Sequence, residues 1–183
     1  MIKKIYLLAI LLTTLVSLTP STGFSQKTDK TVHRDDTGCV LTIDSIIAKL
    51  YIIISQPAGK RDWEDFKYLF LPGARVISIK TDNSGKYNFY NVTVDEYIEM
   101  IKPRLDKANY FEIEIGRKQE EYNNISQVFS TYKSTLITEK KMFFESGINS
   151  FQLIYYKDRW WIASALFNNE TKDTMIPDKY KFN

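Results

Sequence analysis

Residues 147–170 read GINSFQLIYYKDRWWIASALFNNE, and the pairing they imply decides the fold. Phe143 to Tyr156 reads as one strand and Arg159 to Phe167 as the next, with Lys157-Asp158 as the turn between them. Side chains alternate across a strand, so Phe151, Leu153 and Tyr155 share one face while Ile148, Ile154 and Tyr156 populate the other. Both faces of this hairpin carry apolar groups. Trp160 and Trp161 are successive residues, so one faces inward and the other faces the outer surface of the sheet.

Two further strands lie just upstream, Tyr110 to Tyr122 and Ile125 to Ser134, and complete a four-strand meander. The first of them sets Phe111, Ile113 and Ile115 against Glu112 and Glu114. Before the meander the period becomes helical. Ile43, Ile46, Ile47, Leu50, Ile53 and Ile54 predict a helix from Thr42 or Asp44 to about Gln56, stopped by Pro57-Ala58-Gly59. Asp62 can cap a short second helix through Leu69. Leu71-Pro72-Gly73-Ala74 turns the chain into a strand from Arg75 to Lys80, and the polar run Thr81 to Lys86 leads to another near Tyr87 to Val92. Thr93-x-x-Glu96 is a capping box for a helix carrying Tyr97, Ile98, Ile101 and Leu105, which Pro103 should kink or end early. This order gives an α+β layout, with about three helices gathered against one curved, mostly antiparallel sheet.

The chain's 183 residues suit one domain, and a composition 44% hydrophobic and 14% aromatic suits a packed core. A formal charge of +3 falls to +1 without Lys3 and Lys4, too little to argue for nucleic acid or an anionic membrane. Those lysines open a targeting segment. An apolar stretch from Ile5 to Leu18 follows, then Pro20, then small residues before a cleavage point after Ser25. The stretch is short for a membrane span, so no stable membrane anchor is expected after cleavage. The expected division is a signal peptide (1–25), a flexible polar leader (26–39) and one domain (40–183), placed in the periplasm or medium.

Five stretches carry a family likeness: RDWEDFKYLFLPGARVI (61–77), NYFEIEI (109–115), NISQVFSTYKS (124–134), GINSFQL (147–153) and DRWWIASALFNNE (158–170). In this order they resemble an exported bacterial branch of the nuclear transport factor 2-like (SnoaL-like) superfamily. The resemblance covers about residues 40 to 180, and the pair GINSFQL plus RWWI is its most specific part. It implies a cone-shaped fold, in which helices close the mouth of a strongly bent sheet around a pocket. Enzymes of the superfamily use different acid–base residues at different places, and no such motif matches here, so no catalytic residue is carried over.

The residues narrow the chemistry. His33 is the only histidine and lies in the leader, which excludes a His-dependent triad or multi-His metal site in the domain. Cys39 has no neighbour that would activate its thiol. No glycine loop for phosphate, CxxC set or calcium loop is present, so no metal or cofactor is expected. Glu112 and Glu114 point to one face. Inside a cone, one of them would be desolvated and could act as acid or base, with Tyr132 as hydrogen-bond donor. On a solvated edge they would pair with Arg117 or Lys118.

Ser130 with Tyr132, and Ser150 with Gln152, alternate on two neighbouring strands. They either orient a ligand in an apolar pocket or fix strand register through buried hydrogen bonds. The expected cavity has Glu112, Tyr132 and Gln152 on its wall, shared with Trp63 or Trp161. Three functions follow: noncatalytic binding of a small, partly apolar molecule or a protein partner, an isomerase, cyclase or hydratase, or a structural dimer module. A homodimer through the outer sheet face is expected, because helices can cover only one apolar face.

Overall fold

Thr42 opens the first helix by a reciprocal cap with Ser45: its hydroxyl accepts from Ser45 N at 3.1 Å, and the Ser45 hydroxyl accepts from Thr42 N at 3.2 Å. The computed structural model describes residues 37–81 and 85–181. The predicted signal peptide and most of the predicted leader lie outside the described residues. Helix α1 (Ile43–Ile54) buries Ile43, Ile46, Ile47, Leu50 and Ile53, the face its spacing predicts. Helix α2 (Trp63–Tyr68) is capped by Asp62, whose carboxylate accepts from Asp65 N at 2.9 Å. Helix α3 (Val94–Leu105) opens on the Thr93–Glu96 capping box. Pro103 does not end it. The ring sits in the last turn, where only one intrahelical bond is lost, and the helix runs on to Leu105.

Six strands form one mixed sheet: β1 (Phe70–Thr81), β2 (Tyr87–Thr93), β3 (Asn109–Tyr122), β4 (Ile125–Ile137), β5 (Met142–Tyr155) and β6 (Trp160–Asn169). Their order is β2-β1-β6-β5-β4-β3, with only β1 and β6 parallel. Helices pack against one face of this curved, open sheet. The β5–β6 turn places both Lys157 and Asp158 at positive φ, 52° and 59°, the twist a two-residue hairpin requires. Strand β1 begins at Phe70 and not at Arg75. The predicted turn is instead an irregularity in its pairing with β6, between Phe70 and Arg75, with Gly73 at φ 85°.

Two bulges decide which residues face the helices. The register of β3 shifts between Glu114 and Gly116, and that of β6 shifts opposite Gln152/Leu153. Each shift moves the inward set from one parity to the other. On β6 the inward residues pass from Trp160 and Ile162 to Ala165 and Phe167. On β3, Arg117 joins the face of Glu112 and Glu114. The chain then returns over the outer face. Thr131 Oγ1 donates to the Tyr180 carbonyl at 2.5 Å, and the Phe129 and Tyr180 rings stack at 5.6 Å. Gly116 permits this crossing, since a Cβ there would lie 2.8 Å from the Tyr180 oxygen.

Arg61 ties the helix ends to the sheet. Its guanidinium makes five hydrogen bonds to backbone carbonyls: Ile54 at 2.9 Å, Pro57 at 3.4 Å, Leu105 at 2.8 Å, Gln56 at 2.6 Å and Tyr110 at 3.3 Å. These acceptors sit at the ends of α1 and α3 and the start of β3, where helix carbonyls have no intrahelical partner. Ser55 adds a reciprocal pair, its hydroxyl donating to Glu112 O and accepting from Glu112 N, both at 2.7 Å. Replacing Arg61 by Met should lower stability by about 3 kcal/mol or more, because several buried acceptors lose their donor. Urea unfolding checks this, and a loss under about 1 kcal/mol would remove Arg61 from its central place.

Candidate functional site

Between the helices and the inner sheet face lies a cavity of about 350 Å³. Aromatic rings supply much of its wall, among them Phe66, Phe70, Tyr90, Tyr97, Phe143, Phe151 and Phe167. Met100, Ile101 and Arg104 border it from α3, and Glu145 from β5. The polar end gathers Tyr51, Tyr110, Glu112, Tyr132 and Asn149.

The Glu112 carboxyl has two donors. Asn149 Nδ2 donates to Oε1 at 3.0 Å, and the Tyr110 hydroxyl donates to Oε2. Tyr132 donates to Asn169 Oδ1 at 2.8 Å. Gly147 makes room for it, because a Cβ there would lie 2.4 Å from the Tyr132 hydroxyl. Burial raises the Glu112 pKa above its ordinary value. The bonds from Tyr110 and Asn149 pull the other way, and the charge of Glu145 adds to the rise. Burial also raises Tyr51, Tyr97, Tyr110 and Tyr132, with the Glu112 charge adding to each, so all four stay protonated donors. The site thus combines an apolar chamber with a carboxyl group that holds its proton more tightly than an exposed glutamate does. Among the described residues no cluster of His, Cys, Asp or Glu could hold a metal ion.

Of the residues singled out from the sequence, Glu112 and Tyr132 line this cavity. Ser150 and Gln152 do not. On β5 the inward residues are Asn149 and Phe151, paired with Ser130 and Val128, so Ser150 and Gln152 project from the opposite face and Gln152 is exposed. Trp161 also lies outside the cavity: its Nε1 donates to the Tyr156 carbonyl at 2.9 Å, and Arg159 stacks on its ring. Trp63 packs edge-on against Phe66 and is absent from the wall. Ser130 is fully buried behind the wall, bonded to Tyr51 at 2.7 Å and Glu114 at 2.5 Å. Glu114 is held bidentately by Arg117, at 2.9 and 2.7 Å. The two glutamates share a face, but only Glu112 meets the cavity. Tyr110 and Asn149 carried no sequence signal beyond their alternation with Glu112 and Phe151.

No protein-family model and no curated protein matches the sequence. Solved structures do match in shape. A candidate scytalone dehydratase of Novosphingobium aromaticivorans superposes with a TM-score of 0.57 at 11% identity, over 74% of this chain and 87% of that one. A candidate calcium/calmodulin-dependent kinase II association domain of Exiguobacterium sibiricum gives 0.55 at 10% identity, over 72% and 92%. A cystatin-like fold protein of Nostoc punctiforme gives 0.53 at 12% identity, over 72% and 91%. These likenesses show a shared fold, described for the Nostoc protein as cystatin-like. At these identities the likeness concerns the fold alone, and the site must speak for itself.

The raised pKa has a stability consequence. Between the ordinary glutamate value of 4.5 and its raised folded value, native Glu112 keeps a proton that the unfolded chain has released. Its contribution to stability therefore falls as pH rises through that window. Glu112→Gln cannot titrate, so its melting temperature relative to wild type should climb as pH rises from about 4.5. A difference that is flat or falls with pH would show that the carboxyl is not held neutral.

Proposed function

We propose that the cavity binds an uncharged, partly apolar small molecule, anchored at one end by the Glu112 carboxyl. The carrying observation is a carboxyl group that, among the described residues, has two hydrogen-bond donors and no cation on it, set in an aromatic chamber. A neutral acid can donate to a carbonyl or hydroxyl oxygen, and the aromatic walls favour a flat, hydrophobic body. The probe is 2-naphthol, followed by its own fluorescence. Wild type should bind it saturably, and Glu112→Gln should bind it about tenfold more weakly. Equal affinity in the two proteins, or no saturable binding, would overturn this reading.

A second reading is acid–base catalysis by the same group. The raised Glu112 pKa favours it, because such a carboxylate is a stronger base than an exposed one. One structural neighbour is described as a candidate dehydratase, and the reading is compatible with that description. Deuterium uptake by 2-tetralone in heavy water tests it by proton NMR. Wild type should accelerate exchange next to the carbonyl and Glu112→Gln should not; equal rates would leave binding alone.

We further propose that the chain is exported after cleavage behind Ser25 and pairs with a second copy through the outer sheet face. The first rests on the order of charged, apolar and small residues in 1–25. The second rests on exposed Phe111, Ile113, Ile125 and Phe144, and on one neighbour described as a candidate association domain. The returning C-terminal segment already covers part of that face around Thr131, which limits where a partner can sit. Mass spectrometry and light scattering on exported protein check both: a chain starting at Gln26 with a dimer mass is expected. A species retaining Met1 would contradict the first, and a monomer mass the second.

A further inference from the structure

A line of hydrogen bonds leads away from Glu112 through the wall to Asp44 in the first turn of α1. Asn149 Nδ2 donates both to Glu112 Oε1, at 3.0 Å, and to the Tyr51 hydroxyl, at 3.1 Å. Tyr51 and Ser130 are bonded at 2.7 Å, and Ser130 donates to Glu114 Oε1 at 2.5 Å. Glu114 is gripped by Arg117, which also reaches Asp44 at 2.6 Å. Tyr51 and Ser130 are buried.

The direction of these bonds is forced from the outer end. An ionised carboxylate only accepts, so Glu114 takes the Ser130 proton. The Ser130 oxygen must then accept from Tyr51, which uses the one proton Tyr51 has. The Tyr51 oxygen can therefore only accept from Asn149, and this fixes the amide with its nitrogen toward both Tyr51 and Glu112. Arg117 takes part because the bulge after Glu114 brings it onto the inner face.

We infer that Glu114, Arg117 and Ser130, none of which touches the cavity, are positioning residues that orient the Asn149 amide and so set the hydrogen-bond polarity at Glu112. This deepens the reading of the cavity as a binding site and rests on it. Remove the Ser130 hydroxyl, and Tyr51 regains a free proton. It can then donate to Asn149 Oδ1 with the amide turned over. The same oxygen then accepts from the protonated Glu112 carboxyl, so the neutral form gains and the ionised form loses a donor. Other groups facing Glu112 are unchanged by this switch: Tyr110 on β3, Tyr97 and Arg104 on α3, Tyr132 on β4 and Glu145 on β5.

The test is NMR titration of protein labelled with ¹³C at the glutamate carboxyls, with Glu112→Gln identifying the signal. In Ser130→Ala the Glu112 midpoint should move up by about half a pH unit or more. Ser130→Thr, which restores a hydroxyl, should return the wild-type midpoint. A purely structural role for Ser130 predicts lost stability with an unmoved midpoint, and that result, or a downward shift, overturns the inference. Should Ser130→Ala fail to fold, Tyr51→Phe breaks the next link and should give the same upward shift; an unmoved midpoint there overturns it equally. No ligand is needed, so the outcome is independent of whether 2-naphthol binds.

Discussion

One buried guanidinium holds the frame of the cavity. Arg61 lies where α1 ends, α3 ends and β3 begins, and it satisfies carbonyls from all three. Burial lowers its pKa, and the charge of Asp106 near the end of α3 works against that fall. Helix carboxyl ends carry partial negative charge, so a cation shared between two of them is favourable in a way that an apolar residue cannot reproduce. With α1 and α3 fixed against β3, the Tyr51, Tyr97 and Tyr110 hydroxyls all come within the field of Glu112.

Much of this frame was legible in the sequence because its signals are local. The Thr93–Glu96 capping box, the Asp62 cap, the apolar stripe of α1 and the Lys157-Asp158 turn each depend on residues a few positions apart. The bulges were not legible. One extra residue at Ile115 or Ala163 has no residue type that announces it, yet each reverses which side chains face inward beyond it. Alternation also groups residues by face without saying which face is inside. Both faces of β5 mix polar with apolar groups, so Ser150 and Gln152 were placed on the cavity side where Asn149 and Phe151 stand. Arg61 was invisible for another reason: its partners are backbone atoms, which every sequence possesses.

The cavity is organised around a half-buried carboxyl group that, among the described residues, has phenol and amide donors and no bonded cation. An arginine bonded to Glu112 would have lowered its pKa; Arg117, which the bulge turns inward, grips Glu114 instead. Two glutamates on one strand face therefore stand in opposite settings. Glu114 is gripped by Arg117 behind the wall, and Glu112 is left among phenols and an amide at the cavity. Separation of this kind lets one strand supply both a structural charge and a chemically adjustable group. It costs stability at Glu112, which is expected of a site shaped for a ligand and not for the fold alone.

The claim on which the account stands is that Glu112 keeps its proton where an exposed glutamate has lost it. Infrared difference spectra recorded across a pH series, wild type against Glu112→Gln, observe this directly through the carbonyl stretch of a protonated carboxyl. A band that belongs to Glu112 should disappear with a midpoint above that of an exposed glutamate. A band lost at or below the ordinary midpoint would contradict it.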